Sequence, residues 1–167
     1  RPHTRTPRIQ NGQMLLLGPI SDFDPRGGPW ERGYMKSTVD VSSESWFFDG
    51  HFKNDPCMPG TLMLEGCLQL MAFYMTALGY TQNRDGWRFE PVNDVPFPLS
   101  CRGQVTPTSK KLTYELFVQE VHDGPIPMLY ADLLCTVDGL KAFHAGRLAL
   151  QLTPAWPLDE GSALLEN

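Results

Sequence analysis

Trp46 to Tyr80 reads WFFDGHFKNDPCMPGTLMLEGCLQLMAFYMTALGY, and an expectation for the whole chain can be built outward from it. The stretch opens on aromatics and His51, turns through Pro56, Pro59 and Gly60, and then becomes almost wholly apolar. Its spacing predicts a helix over 60–80, with Gly60 and Thr61 at the start, just after Pro59, and Gly79 near the end. Thr61, Glu65 and Gln69 recur every four residues and so form one narrow polar stripe. Leu, Met, Phe and Tyr cover most of the remaining circumference, and a helix of that kind is buried by its own chain or by a partner subunit. Glu65 is the only Asp, Glu, Lys, Arg or His between Pro56 and Asn83. Burying an unpaired carboxylate is costly and raises its pKa, so Glu65 is expected to hold its proton.

Composition narrows the classes. A chain of 167 residues fits one domain with an ordinary core. A net charge of -5 argues against nucleic-acid binding by bulk electrostatics. Cys57, Cys67, Cys101 and Cys135 contain no CxxC pair and read as reduced thiols, which implies a cytoplasmic setting. The apolar run approaches membrane-spanning length, but Glu65, Gly66 and Gln69 interrupt it, so a buried helix is expected. A first residue other than Met suggests a piece cut from a longer polypeptide.

Residues 1–12 are basic, rich in Pro and Thr, and read as a flexible segment. The run MLLLGPI, ending at Ile20, suggests a short strand, and Asp24 to Pro29 a loop. Alternation from Gly33 to Val41 predicts another strand. Residues 81–100 carry Pro91, Pro96 and Pro98 and read as loop. Beyond them the period is two: Leu112, Tyr114, Leu116 and Val118 alternate with polar residues, Leu129–Val137 follows, and Asp138-Gly139 is a hairpin signal leading into Leu140–Leu152. Asp123-Gly124 marks a further turn. Residues 13–154 then form one α+β domain, a long central helix wrapped by an antiparallel β-sheet, with 155–167 as a tail. One sheet leaves apolar helix surface over, and dimerisation is expected to cover it.

The chemistry gathers at the ends of the opening stretch. His51 titrates near neutrality and can act as a general base, while a protonated Glu65 can act as a general acid. The helix start at Gly60 and Thr61 offers free N–H groups to a carbonyl oxygen and to the enolate formed from it. Base, acid and oxyanion donor together suit removal of a proton α to a carbonyl with loss of a β-hydroxyl as water. Competing readings are a core histidine at His51 and a surface carboxylate at Glu65. A metal site of His51, Asp55 and Glu65 lacks the second His usual in hydrolytic zinc sites, so no metal is expected. Cys57 and Cys67 read as packing residues. The methionines and aromatics of 71–75 read as core that could also line an acyl tunnel.

The segment GHFKNDPCMPGTLMLEGCLQLMAFY resembles the active-site segment of the β-hydroxyacyl-acyl carrier protein dehydratases, in particular their FabA-like branch. Trp46-Phe47-Phe48 before the histidine, GPWERGYMKSTVDV from Gly28 and CRGQVTPTSKKLTYELFV from Cys101 extend the resemblance over most of residues 13–152. It implies the hotdog fold and active sites at an interface between two hotdogs. It further implies that His51 takes the C2 proton and that Glu65 of the second hotdog protonates the leaving hydroxyl. The Gly60 N–H would hold the thioester oxygen, Gln69 would orient Glu65 or the water, and the Cys57 carbonyl would fix the His51 tautomer. Pro59, Thr61 and Phe52 would line the substrate site with Cys57. Two positions depart from the FabA-like pattern: Glu65 stands where Asp is typical, as in the FabZ branch, and Thr61 where Cys is frequent. The pattern looks most like dehydratase domains of polyunsaturated fatty acid or polyketide-type synthases. No cofactor is implied beyond the phosphopantetheine arm of an acyl carrier protein, which would be the partner, with a homodimer or tandem double hotdog as the assembly. The carrier is acidic, and Arg84, Arg88, Arg102, Lys110 and Lys111 are the cations expected to meet it. Alternatives are a 2-enoyl hydratase or isomerase on the same residues, a thioesterase, and a non-catalytic hotdog that completes a partner's site.

Overall fold

The computed structural model describes residues 6–154. One helix, α1 (Gly60–Ala77), lies against a single antiparallel sheet of seven strands. In chain order the strands are β1 (Ile20–Asp24), β2 (Tyr34–Asp40), β3 (Arg88–Pro91), β4 (Leu99–Cys101), β5 (Lys111–His122), β6 (Met128–Val137) and β7 (Leu140–Thr153). They are laid side by side as β1-β2-β5-β6-β7-β3, with β4 pairing a different part of β7. A long central helix wrapped by an antiparallel sheet is the α+β hotdog arrangement expected from the sequence.

The two-residue period builds the inner face of the sheet. β5 buries Leu112, Tyr114, Leu116 and Val118, and β6 buries Leu129, Ala131, Leu133, Cys135 and Val137. β7 breaks the period once. Phe143 and Ala145 face the core, then Leu148, Leu150 and Leu152 do so, a change of parity at Arg147. Arg147 has a φ of 47°, the pairing register shifts opposite it between Ala131 and Leu133, and its N–H donates to Asp132 Oδ1 at 2.8 Å. This is a β-bulge, and it re-aims the end of β7 so that Leu150 meets α1. Asp138 and Gly139 both have positive φ, 49° and 82°, as the hairpin signal requires.

α1 ends at Ala77 rather than at residue 80. Gly79 (φ 90°) donates its N–H to Thr76 O and Tyr80 donates to Met75 O, the two bonds of a Schellman stop. Three expectations are corrected. The run through Ile20 is not a strand over its length: Gly12–Met14 is a 3-10 turn and pairing begins only at Ile20. Pro19 has no N–H for a ladder, and Leu16 N–H is committed elsewhere. Asp24 belongs to β1 rather than to the loop. Residues 81–100 contain β3 and β4, short strands placed at the sheet's margin, where Pro91 is tolerated at a strand end. Residues 6–11 have no regular structure, yet Pro7 is buried and Ile9 packs against the core.

Gly66 is a tight point between α1 and the sheet. A Cβ there would lie 2.5 Å from two ring carbons of Tyr114. Tyr114 is fully buried, its hydroxyl has no partner among the described residues, and burial, with the Cys135 and Cys67 thiols beside it, pushes its phenol pKa well up. Glycine inside a helix costs about 1 kcal/mol relative to alanine, and an inserted methyl at a filled contact costs about 1–3 kcal/mol. Gly66→Ala is therefore expected to lower stability in chemical denaturation despite its better helix propensity.

Candidate active site

His51 follows a 3-10 turn (Trp46–Phe48) and is held by a closed loop. The Cys57 N–H donates to the His51 carbonyl at 2.7 Å, and Phe52 and Asp55 exchange backbone bonds of 3.1 and 3.2 Å. The imidazole Nδ1 lies 2.8 Å from the Cys57 carbonyl oxygen. A carbonyl only accepts, so Nδ1 carries the proton, and Nε2 keeps its lone pair. The Cys57 thiol is a longer neighbour of the same nitrogen, at 3.5 Å. The ring of Phe52, 58% exposed, stacks on the imidazole with centroids 4.1 Å apart. Half-buried and oriented through its backbone-facing nitrogen, His51 is placed to take a proton at Nε2.

Met58 N–H donates to Val105 O at 2.8 Å, which ties this loop to the segment after β4 and sets the start of α1. Pro59 is the N-cap and has no side-chain donor or acceptor to offer. Its carbonyl accepts from Leu62 and Met63, while Gly60 and Thr61, the first helical residues, point amides toward no acceptor among the described residues. Beside Gly60 lies the Cys101 thiol, 3.3 Å from where a Cβ would stand, a tight contact that the absence of a side chain avoids.

Glu65 sits about a turn further along α1 and is half-buried. Gln69 holds it. The Gln69 Nε2 donates to Glu65 Oε1 at 2.9 Å and to Met14 O at 2.7 Å, and its Oε1 accepts from Leu16 N–H at 2.9 Å. With an N–H on one side and two oxygens on the other, the amide has only one consistent orientation. Gln69 is 2% exposed, so these bonds are made away from water. A cavity of about 220 Å3 adjoins Glu65, walled by Ile9, Gln10, Leu68, Phe89 and Leu150 among others. His51 is not among its lining residues, nor does any described cavity bring His51 and Glu65 together. Thr61 is exposed on the stripe's outer end.

Among the described residues no three His, Cys, Asp or Glu side chains are gathered so as to hold a metal ion, and no helix is long and apolar enough to cross a membrane. Of the expected cations, Lys111 pairs with Asp40 at 2.9 Å, and the Lys110 and Lys111 amides are bound by Asp138. Arg84 and Arg88 lie elsewhere, Arg84 over the Trp87 ring and Arg88 in β3.

Residues 9–146 match the FabA-like domain, which is most of the chain. The chain belongs to the FabA-like family. Among solved structures, this chain superposes on the dehydratase heterocomplex ApeI:P from Xenorhabdus doucetiae with a TM-score of 0.55, at 15% identity, covering 98% of this chain and 97% of that one. A protein from Ralstonia eutropha assigned as a thioesterase and related to phenylacetic acid degradation gives a TM-score of 0.55 at 15% identity, over 81% of this chain and 84% of that one. At such identity the two neighbours establish the shared fold.

The tether from Gln69 to residues 14–16 and the walls supplied by residues 8–10 and β3 were not anticipated. Alternation over Arg88, Phe89 and Glu90, between Gly86 and Pro91, was the available signal for β3. Gln69→Leu removes three bonds at nearly constant volume and leaves Leu16 N–H and Met14 O unpaired. At about 1 kcal/mol per bond it is expected to cost roughly 2–4 kcal/mol, and hydrogen exchange should show the Leu16 amide losing protection.

Proposed function

We propose that this FabA-like domain is a 3-hydroxyacyl-acyl carrier protein dehydratase, acting as an assembly of two hotdogs. The observation that carries the reading is the fixed orientation of two side chains: His51 held through Nδ1, and Glu65 held by Gln69 at the wall of a cavity. Nε2 of His51 takes the proton from C2 of the acyl thioester. The electron pair moves to the thioester oxygen, which the Gly60 N–H stabilises at the positive end of α1. Glu65 gives its proton to the 3-hydroxyl, the C3–O bond breaks, and the enolate collapses to the trans-2-enoyl thioester and water. The protonated His51 and ionised Glu65 then exchange one proton with solvent to reset the site.

His51 and Glu65 come from different copies in this reading. The absence of His51 from the lining of the Glu65 cavity supports it, as does the position of that cavity beside β3, whose outer edge pairs with no described strand. A second hotdog, as a homodimer or in tandem, brings its own His51 to that cavity. The substrate arrives on the phosphopantetheine of an acyl carrier protein, and the step belongs to fatty acid, polyunsaturated fatty acid or polyketide-type synthesis.

His51→Ala and Glu65→Gln should each lower kcat/KM for 3-hydroxyacyl thioesters by about 10²–10⁴, with 2-enoyl product followed by mass spectrometry. Co-expression of the two inactive variants is the sharper test. A mixed pair contains one site with both substitutions and one with neither, so activity returns only if the groups act across copies. Failure of wild-type protein to form 2-enoyl product, or release of free thiol in its place, would sink the dehydratase reading.

A further inference from the structure

The imidazole of His51 has an aromatic ring laid on its face. The Phe52 ring stacks on it with centroids 4.1 Å apart and planes 28° from parallel. Backbone bonds hold both residues of the stack. Phe52 N–H donates to Asp55 O at 3.1 Å, Asp55 N–H donates back to Phe52 O at 3.2 Å, and the His51 carbonyl accepts from Cys57 N–H at 2.7 Å. Phe52 is nevertheless 58% exposed, and among the large apolar side chains described only Leu140, beside the hairpin turn, is more so. Burial in the core therefore does not explain where this ring lies.

Proton removal changes the charge of the side chain beneath it. In a Ser-His-Asp triad a buried carboxylate steadies the imidazolium that forms. Here Nδ1 faces the Cys57 carbonyl at 2.8 Å and the Cys57 thiol at 3.5 Å, neither of them a carboxylate. None of the ion pairs among the described residues includes His51. Asp49, Lys53 and Asp55, the charged residues of the same loop, are exposed. From a second copy the facing titratable group is Glu65, which in the dehydratase reading keeps its proton until the 3-hydroxyl departs. The group left in contact with the imidazole is the π-face of Phe52, and a cation within about 6 Å of such a ring's centroid is attracted by its quadrupole.

We propose that Phe52 is a positioning residue for proton removal: its ring fixes the plane of the His51 imidazole, and its π-face stabilises the imidazolium formed there. This role rests on the dehydratase reading, in which Nε2 of His51 takes the C2 proton. The neutral imidazole is held by the stack as well, but the charged one is held more tightly, so the contact favours the transition state over the ground state. Such a contribution belongs to the rate of the chemical step, whereas a wall of the substrate site would act on binding. Phe52 thus works through His51, and the two roles open to it predict different kinetics.

The test replaces Phe52 by mono-, di- and pentafluorophenylalanine, which keep the outline of the ring while fluorine drains and then inverts its quadrupole. The single-turnover rate of 2-enoyl formation at saturating 3-hydroxyacyl thioester should fall stepwise, by about 2- to 30-fold at the pentafluoro ring, with KM little changed. Phe52→Leu, which has no π-face, should fall at least as far. A rate that holds through the fluorinated series overturns the proposal whether or not Phe52→Leu is slow, because the ring then acts by shape alone. A KM that rises at constant rate also overturns it and makes Phe52 a wall of the substrate site. Measurements without substrate separate this role from the dehydratase reading. Through an acid titration, the imidazole nitrogen shifts of His51 should report less imidazolium at a given pH as fluorines are added. Equal imidazolium throughout the series overturns the stabilising contact even if dehydration proceeds. A stepwise fall upholds the contact even if wild-type protein forms no 2-enoyl product, an outcome that sinks the dehydratase reading alone.

Discussion

A helix that is apolar around most of its circumference has to be surrounded, and burying α1 organises everything else in this molecule. The strands β5, β6 and β7 are long because they must cross an eighteen-residue helix, about 27 Å of it at 1.5 Å per residue. Their inner rows of Leu, Val, Ala and Cys meet Met63, Cys67, Leu70, Met71, Tyr74 and Met75 of α1. Gly66 lets the helix come down onto the Tyr114 ring, and the bulge at Arg147 turns Leu150 inward. Each of these irregularities makes sense as an adjustment of the sheet to one cylinder.

The same burial creates the site. Fixing the helix body leaves its first amides and its polar stripe at the rim, where Pro59 supplies no cap and Gly60 no side chain. The histidine is presented by a separate loop, through a backbone carbonyl rather than a carboxylate partner, which sets its tautomer without adding a charge beside it. Glu65 and His51 are thus oriented independently, one by the helix and the other by the loop. Such a division suits a reaction centre assembled from two copies, since neither half needs the other in order to be oriented.

Much of this could be read from the residues alone. Helix α1, the alternation in β2, β5 and β6 and the Asp138-Gly139 hairpin follow from local periodicity and turn chemistry, so they are legible without tertiary information. The stripe of Thr61, Glu65 and Gln69 on one helix face was legible for the same reason. What escaped was non-local. The end of the apolar run at Pro19, the short strands β3 and β4 among prolines, and the parity change in β7 depend on which partner lies alongside. The separation of His51 from the Glu65 cavity is set by the path of the loop through space, and no spacing along the sequence encodes it.

Gln69 joins two parts of the chain more than fifty residues apart, taking Met14 and Leu16 in one hand and Glu65 in the other. The orientation of Glu65 is therefore conditional on the arm that precedes β1. A version of this domain trimmed to the sheet and the helix would keep its core and every member of its polar stripe. It would nevertheless have a Glu65 side chain free to swing. Where this fold is cut out, fused or transplanted, the functional boundary lies upstream of the structural one.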